Sequence, residues 1–278
     1  MTNAQQDKAA AGAARHRAVV EDLAAETMSL QDMLATVGLS RWSTATPAVG
    51  WTVQDQVNHL AHFDEALVLA IRNPDRFRQE SATLAAPGED FPDRLVQRAR
   101  HLSPQQSADW LTKARAELLA EIAATAPGQR IPWYGPDMSI TSAVTARLME
   151  TWAHGQDVAD ALGQTRTATD RLRHIAHLGV ATRSFSFRLR GLASPAQEPL
   201  VELLSPSGTR WSWGNPAAHD RITGSALDFA LVVTQRRHLS DTALAVVGAD
   251  AGRWMAVAQA YAGVPGPGRQ PVEERELP

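Results

Sequence analysis

The sequence contains no cysteine, and its only lysines are Lys8 and Lys113. Without thiols the chain cannot form disulfides, iron–sulfur clusters, thiolate zinc sites or a cysteine nucleophile. Sulfur chemistry at this protein would therefore need a thiol that arrives from outside. The basic residues, mostly arginine, are scattered, and the formal net charge is −3 at pH 7. We therefore expect no nucleic-acid partner.

Long apolar runs are also missing. No stretch approaches the roughly 18 to 20 continuous apolar residues that a membrane span requires. The first residues, Met-Thr-Asn-Ala-Gln-Gln-Asp-Lys, lack a basic segment followed by an apolar run. We therefore expect a cytoplasmic protein with no membrane partner. We expect it to be either a monomer or a homodimer. At 278 residues and 44% apolar content, the chain is long enough for two domains with sizeable cores.

The first 165 residues have helical periodicity. Apolar residues recur at helical spacing over about 18–37 and 52–72. A third helix begins at Pro104, continues through Ile122 and ends before Pro127-Gly128, and a fourth begins at Ser139 or Thr141 and ends near Gly163. Thr52 and Ser103 are the predicted N-caps of the second and third helices. Residues 74–102 are predicted to be a long connection with a short helix at 91–99. Four long helices predict a bundle, whose core can hold metal ligands.

After residue 166 the sequence pattern predicts strands as well as helices. We predict one helix over 169–190, then a β-hairpin over 199–213, strands at 220–223 and 243–247, and helices at 226–237 and 249–262. The predicted fold class is therefore α+β with two domains. It comprises a disordered N-terminus at 1–15, a metal-binding helix bundle at 16–165, a small α/β domain at 166–263 and an extended tail at 264–278.

The candidate site lies on the fourth helix. Arg147, Glu150, His154 and Asp157 follow one another at spacings of three, four and three, which places them on one helical face. Glu150 and His154 can then offer a carboxylate and an imidazole to one ion, and His59 on the second helix is the candidate third ligand. Two histidines and one carboxylate, with open coordination positions, are typical of a reactive metal centre.

Three alternatives remain open at this point. Glu150 beside Arg147 also fits a structural ion pair, with His154 a hydrogen-bonded core residue. His62, one turn after His59, competes with it for the ligand role. Asp157 is either an acceptor that orients an imidazole or a charge on the helix surface.

Two passages of the sequence resemble a known family. They are Trp51-Thr-Val-x-x-x-Val-x-His59-Leu and Arg147-x-x-Glu150-x-x-x-His154-x-x-Asp157. Together they resemble the mycothiol-dependent maleylpyruvate isomerase group of the DinB-like metal-binding superfamily, over roughly residues 16–165. The segment 224–254 resembles a module like sterol carrier protein 2 (SCP2-like), and 258–269 resembles an actinobacterial metal-binding subfamily.

The resemblance implies a DinB-like four-helix bundle in which His59, Glu150 and His154 bind a divalent metal. Zinc is the usual ion, with nickel, manganese or iron as alternatives. It also implies a low-molecular-weight thiol, typically mycothiol, whose pKa a Lewis-acidic ion lowers. We assign Asp157 and Arg147 as candidate catalytic residues.

The substrate contacts are predicted separately. Arg236 and Arg237 are the candidates for holding a substrate carboxylate, as an arginine of the isomerase does, in a C-terminal domain that would cover the site. Trp51 and Trp152 are candidate pocket walls, and Trp133 is a third.

The predicted function is a metal-dependent thiol transferase or isomerase that acts on a small electrophilic substrate. One alternative keeps the metal but uses water, in hydrolase, lyase or cyclase chemistry without a thiol. Another is a small-molecule binding protein with a structural metal. A third is oxygen chemistry at an iron(II) centre, which the same ligand set also supports.

Overall fold

The computed structural model describes residues 3–85, 91–266 and 268–272. The chain forms two units, Met1–Thr165 and Arg166–Pro278. The first unit is mainly helical, and the second combines helices with a small sheet. Among the described residues, no helix combines the length and the apolar character needed to cross a membrane.

The first unit is built on helices α1 to α6. These are α1 (Asn3–Ala35), α2 (Val53–Arg72), α3 (Pro74–Ala85), α4 (Phe91–Ala99), α5 (Pro104–Ala124) and α6 (Ile140–Leu162). Strands β1 (Arg130–Ile131) and β2 (Met138–Ser139) pair antiparallel just before α6. Helix α2 packs against both α5 and α6, and α1 packs against α6. These four long helices form the predicted bundle.

The bundle helices begin and end where local chemistry requires it. The Thr52 side chain accepts a hydrogen bond from the backbone of Asp55, whose carboxylate accepts one from the backbone of Thr52. This capping box fixes the start of α2, and Ser103 begins a second one at α5. Ser139 caps α6, which ends at Gly163 in the left-handed conformation, φ 65°. The predicted boundaries are confirmed at these positions.

Two predictions for the first unit need correction. Residues 3–15, which we expected to be disordered, form the first turns of α1, because this alanine-rich segment has high helix propensity. Residues 1 and 2 lie outside the described part. The predicted connection over 74–102 contains a further helix, α3, in addition to α4. Pro74 suits the first helical position, and the side chain of Asn73 accepts from the backbone of Arg76.

The described residues of the second unit form four α-helices and a four-stranded sheet. The elements are α7 (Leu172–Ala181), α8 (Arg183–Leu189), β3 (Leu200–Leu204), β4 (Arg210–Trp213), β5 (Arg221–Ser225), α9 (Ala226–Val233), β6 (Ala245–Val247) and α10 (Ala249–Met255). The strand order is β4-β3-β5-β6, with β3 and β5 parallel and the outer pairs antiparallel. The predicted hairpin is confirmed as β3 and β4.

Three helix predictions in this unit were too long. The helix predicted over 169–190 is two helices, α7 and α8, which meet at Thr182. Helix α9 ends at Val233, because the chain turns through a left-handed residue, Gln235 at φ 58°. Helix α10 ends at Met255. The predicted tail has no regular element at 264–266 and 268–271, while Pro267 and residues 273–278 lie outside the described part. The likeness to sterol carrier protein 2 stays a prediction.

A buried charge cluster connects the helices of the bundle. The Asp64 carboxylate of α2 accepts from Arg115 Nε of α5 at 2.6 Å and from Arg147 Nε of α6 at 3.0 Å. All three residues are at most 2% exposed. Arg147 also donates to the carbonyl of Leu60 at 3.1 Å, and Arg115 to the hydroxyl of Thr151 at 3.0 Å. One carboxylate therefore joins three helices through charge-assisted hydrogen bonds.

Replacing Asp64 by alanine should strongly destabilise the protein, because two buried guanidinium groups lose their counter-charge. We expect the free energy of unfolding, measured by urea titration, to fall by about 3 to 5 kcal/mol. Glu65→Ala is the matched control, since this neighbouring carboxylate is exposed and accepts from Trp110 Nε1 at 2.8 Å. The control should lose about 1 kcal/mol or less. Equal losses in the two variants would contradict the structural role of Asp64.

Candidate metal centre

Three potential ligands converge between α2 and α6. His59 lies on α2, and Glu150 and His154 lie one turn apart on α6. One donor atom from each of the three lies within 4.8 Å of the other two. Glu150 Oε2 is 3.1 Å from His154 Nε2 and 3.9 Å from His59 Nε2. These are the three residues that the sequence predicted as the ligand set.

The geometry bears on two of the alternatives that the sequence left open. Arg147 donates to Asp64 and to a backbone carbonyl, whereas Glu150 faces the two histidines. The structural pairing of Glu150 with Arg147 is therefore not the arrangement observed. His59, and not His62, belongs to the cluster of donor atoms.

The electrostatic environment keeps the imidazoles of α2 neutral. Burial lowers the pKa of His59 well below its usual value, and His154 lowers it further, against an opposing effect of Glu150. Burial, with a smaller contribution from Arg147, lowers the pKa of His62 from 6.5 to about 4. Neutral imidazole is the form that binds metal ions.

The donor set fits a divalent metal. It consists of two imidazole nitrogens and one carboxylate oxygen, the types that zinc, nickel, manganese and iron accept in proteins. The Glu150 side chain remains 22% exposed, against 12% for His59 and 10% for His154. The carboxylate side of the cluster therefore stays accessible to solvent or to a small molecule.

A buried glutamine, Gln56, forms a hydrogen bond with the candidate ligand His154. Gln56 Oε1 forms a short hydrogen bond with His154 Nδ1, and Gln56 Nε2 donates to Thr46 Oγ1 at 2.8 Å. Sequence reasoning missed this residue, although a signal was present. Gln56 precedes His59 by three positions, so both lie on the same face of α2.

Aromatic rings surround the cluster. The Trp51 indole stacks on His154 with 5.9 Å between ring centroids, lies 5.2 Å from His59, and donates from Nε1 to Asp93 at 2.6 Å. Phe63 lies on another side, 4.6 Å from His59. Phe63 begins a group of contacting rings that we call the aromatic wall, consisting of Phe63, Phe77, Phe91, Trp133 and Tyr134.

The aromatic wall also contains a hydroxyl group. Burial, with a smaller contribution from Glu80, raises the pKa of Tyr134 to about 12. The phenol therefore stays protonated at neutral pH and can act as a hydrogen-bond donor. Trp133, which the sequence proposed as a pocket wall, stacks on Phe77 at an interplanar angle of 5°.

The other predicted site residues have different positions. Trp152 and Asp157 are buried on α6, at 5% and 1% exposure. Arg236 and Arg237 follow α9 in the second unit, where they donate to the carbonyls of Thr234 and Arg236 at 2.6 and 2.7 Å. Their role in substrate binding stays a prediction. The Arg147 guanidinium binds Asp64, and the catalytic roles of Arg147 and Asp157 stay predictions.

The fold and the cluster define the class: a helix bundle with a candidate metal centre of two histidines and one glutamate. Residues 23–159 match the family model of the mycothiol maleylpyruvate isomerase N-terminal domain. The helix bundle therefore belongs to the family of mycothiol maleylpyruvate isomerase N-terminal domains, as the sequence predicted.

The chain is also similar to individual proteins and to solved structures. Uncharacterized proteins of Mycobacterium tuberculosis, from the strains CDC 1551 / Oshkosh and ATCC 25618 / H37Rv, are 47% identical to the chain over 251 residues. The match covers 90% of this chain and 97% of each relative. Crystal structures of the mycothiol-dependent maleylpyruvate isomerase and of a mutant of it align with a TM-score of 0.55 at 15% identity, covering 80% of this chain and 89% of theirs. At this identity the structural likeness shows a shared fold.

The depressed pKa of His62 predicts a specific loss of stability in mild acid. Below its usual pKa of 6.5 the unfolded chain takes up a proton at this residue, but the folded protein does so only near pH 4. Stability therefore falls as the pH is lowered between these values. From pH 7 to pH 5, the free energy of unfolding of metal-free wild type should fall by about 2 kcal/mol more than that of His62→Leu. Urea titrations with parallel pH dependence in both proteins would contradict this.

Proposed function

We propose that the protein is a divalent-metal-dependent enzyme of thiol chemistry. It adds or transfers a low-molecular-weight thiol, or uses one to isomerise a small electrophilic substrate. The observation that carries this proposal is the convergence of His59, Glu150 and His154 in the bundle of a family whose named member is mycothiol-dependent. The absence of cysteine fits a scheme in which the thiol is a separate molecule.

His59, Glu150 and His154 would hold the metal, with zinc as the first candidate. When bound, the ion supplies Lewis acidity, which lowers the pKa of a nearby thiol and favours the nucleophilic thiolate at neutral pH. With a single carboxylate, the ligand set leaves a divalent ion with net positive charge.

The chain's own residues prepare the site for such a reaction. Trp51 and Phe63 lie against the two imidazoles and exclude water from their faces. Polar interactions are stronger where water is excluded. The partly exposed Glu150 marks the open side, where thiol and electrophile would enter. Trp152 and Asp157, both buried on α6, are proposed to support the ligand helix and not to touch the substrate.

The same exposure of Glu150 favours a second candidate function. Water can also reach the carboxylate side of the cluster, so the centre could serve a hydrolase, lyase or cyclase reaction without thiol. The two functions differ in whether a thiol must be present.

The proposed ligand set predicts the metal content of variants. Untagged wild-type protein should contain close to one metal ion per chain by elemental analysis, and His59→Ala and Glu150→Ala should be largely empty, because each loses one of three donors. His62→Ala is the matched control, since this histidine is one turn away on α2 and outside the cluster. Metal retained equally in all four proteins would contradict the assignment.

The proposed chemistry predicts that turnover depends on an added thiol. Metal-loaded protein freed of small thiols by gel filtration should not convert small electrophiles, including maleylpyruvate. Added mycothiol should restore turnover, and Glu150→Gln or a chelator should abolish it. Turnover that proceeds equally without thiol would refute the leading proposal and support the second.

A further inference from the structure

The two ring nitrogens of His154 face different groups. Nε2 points to Glu150 Oε2 at 3.1 Å, on the side of the metal ligands. Nδ1 points away from them and forms its short hydrogen bond with Gln56 Oε1. Both groups are acceptors, so Nε2 faces Glu150 without a proton only when a cation lies on the ligand side. The one proton of the neutral ring then lies on Nδ1, which faces Gln56.

Thr46 fixes the orientation of the Gln56 amide. Thr46 Oγ1 lies 3.0 Å from the backbone carbonyl of Trp51, which can only accept, so the hydroxyl proton points to Trp51. The hydroxyl oxygen is then the acceptor for Gln56 Nε2 at 2.8 Å. The amide nitrogen is thereby committed to Thr46, and the amide oxygen is the atom that faces His154.

We propose that Gln56 is the positioning residue of the metal centre. Its amide oxygen accepts the Nδ1 proton of His154 and thereby holds the ring in the tautomer whose Nε2 lone pair faces Glu150 and His59. The role in metal binding rests on the proposed function, whereas the structure shows the hydrogen-bond chain from Trp51 through Thr46 and Gln56 to His154 directly. Gln56 is fully buried, so water does not compete for the bond.

The two histidine ligands differ in this respect. His59 Nδ1 is buried and has no hydrogen-bond partner among the described groups. Ring contacts with Trp51 and Phe63 position His59, whereas a directed hydrogen bond positions His154. Hydrogen bonds to the second nitrogen of a ligating histidine fix its orientation and raise its affinity for metal. Of the two histidines, His154 is therefore the one whose ring orientation a hydrogen bond fixes.

A glutamine at this position provides an acceptor without adding charge. Gln56→Glu keeps an oxygen within reach of His154 Nδ1, whereas Gln56→Leu keeps most of the volume and removes the acceptor. A merely structural role would make both variants similar, since both lose the amide donor to Thr46. A positioning role predicts that glutamate rescues metal binding and that leucine does not.

The test is a zinc titration of untagged, metal-free protein in competition with a chromophoric chelator. Gln56→Leu should bind zinc about 10- to 100-fold more weakly than wild type, and Gln56→Glu should bind it at least as tightly as wild type. Gln54→Leu is the matched control: this glutamine lies on the same helix, but it donates to Leu102 O at 2.6 Å and Ser107 Oγ at 3.0 Å. The control should bind zinc like wild type.

Nitrogen-15 NMR of the histidine rings in zinc-loaded wild type provides an independent readout. His154 should carry its proton on Nδ1 and bind zinc through Nε2 at neutral pH, and this result does not require a folded variant. A proton on Nε2 would overturn the proposal, as would Gln56→Leu binding zinc as tightly as Gln54→Leu. A wild type that binds no zinc would instead refute the metal centre itself.

Discussion

The packing of α2 against α6 is the contact on which the site depends, because neither helix carries a complete set of ligands. Asp64 secures this packing, since its carboxylate binds arginines from both α5 and α6. Arg147, which bonds to Asp64, precedes Glu150 by less than one turn. The buried charge cluster and the candidate metal centre therefore lie next to each other along α2 and α6. A shift of either helix at one of them would displace the other.

Burial has two consequences for the candidate metal centre. It removes water from the faces of the histidine rings, and it keeps His59 and His62 neutral by lowering their pKa values. The same burial is unfavourable in acid, because the folded protein resists protonation of these rings. Readiness for metal and loss of stability in mild acid are thus coupled through one physical cause, the loss of solvent around the imidazoles.

Features set by neighbouring residues could be predicted from the sequence. Thr52 and Gly163 bound their helices through local hydrogen bonds and backbone conformation, and the four-residue spacing of Glu150 and His154 follows from helix geometry. Features set by contacts between residues far apart along the chain could not be predicted. The pairing of Arg147 with Asp64 spans 83 positions, and that of His154 with Gln56 spans 98. The periodicity of the sequence does not indicate which buried acceptor will form a hydrogen bond with a given donor.

The central claim is that one cation is held by His59, Glu150 and His154 together, and anomalous diffraction from crystals of the zinc-loaded protein tests it most directly. We expect a single strong anomalous peak at coordination distance, about 2.0 to 2.2 Å, from one atom of each of the three side chains. A peak bound elsewhere, or none between α2 and α6 in crystals that contain zinc, would contradict it.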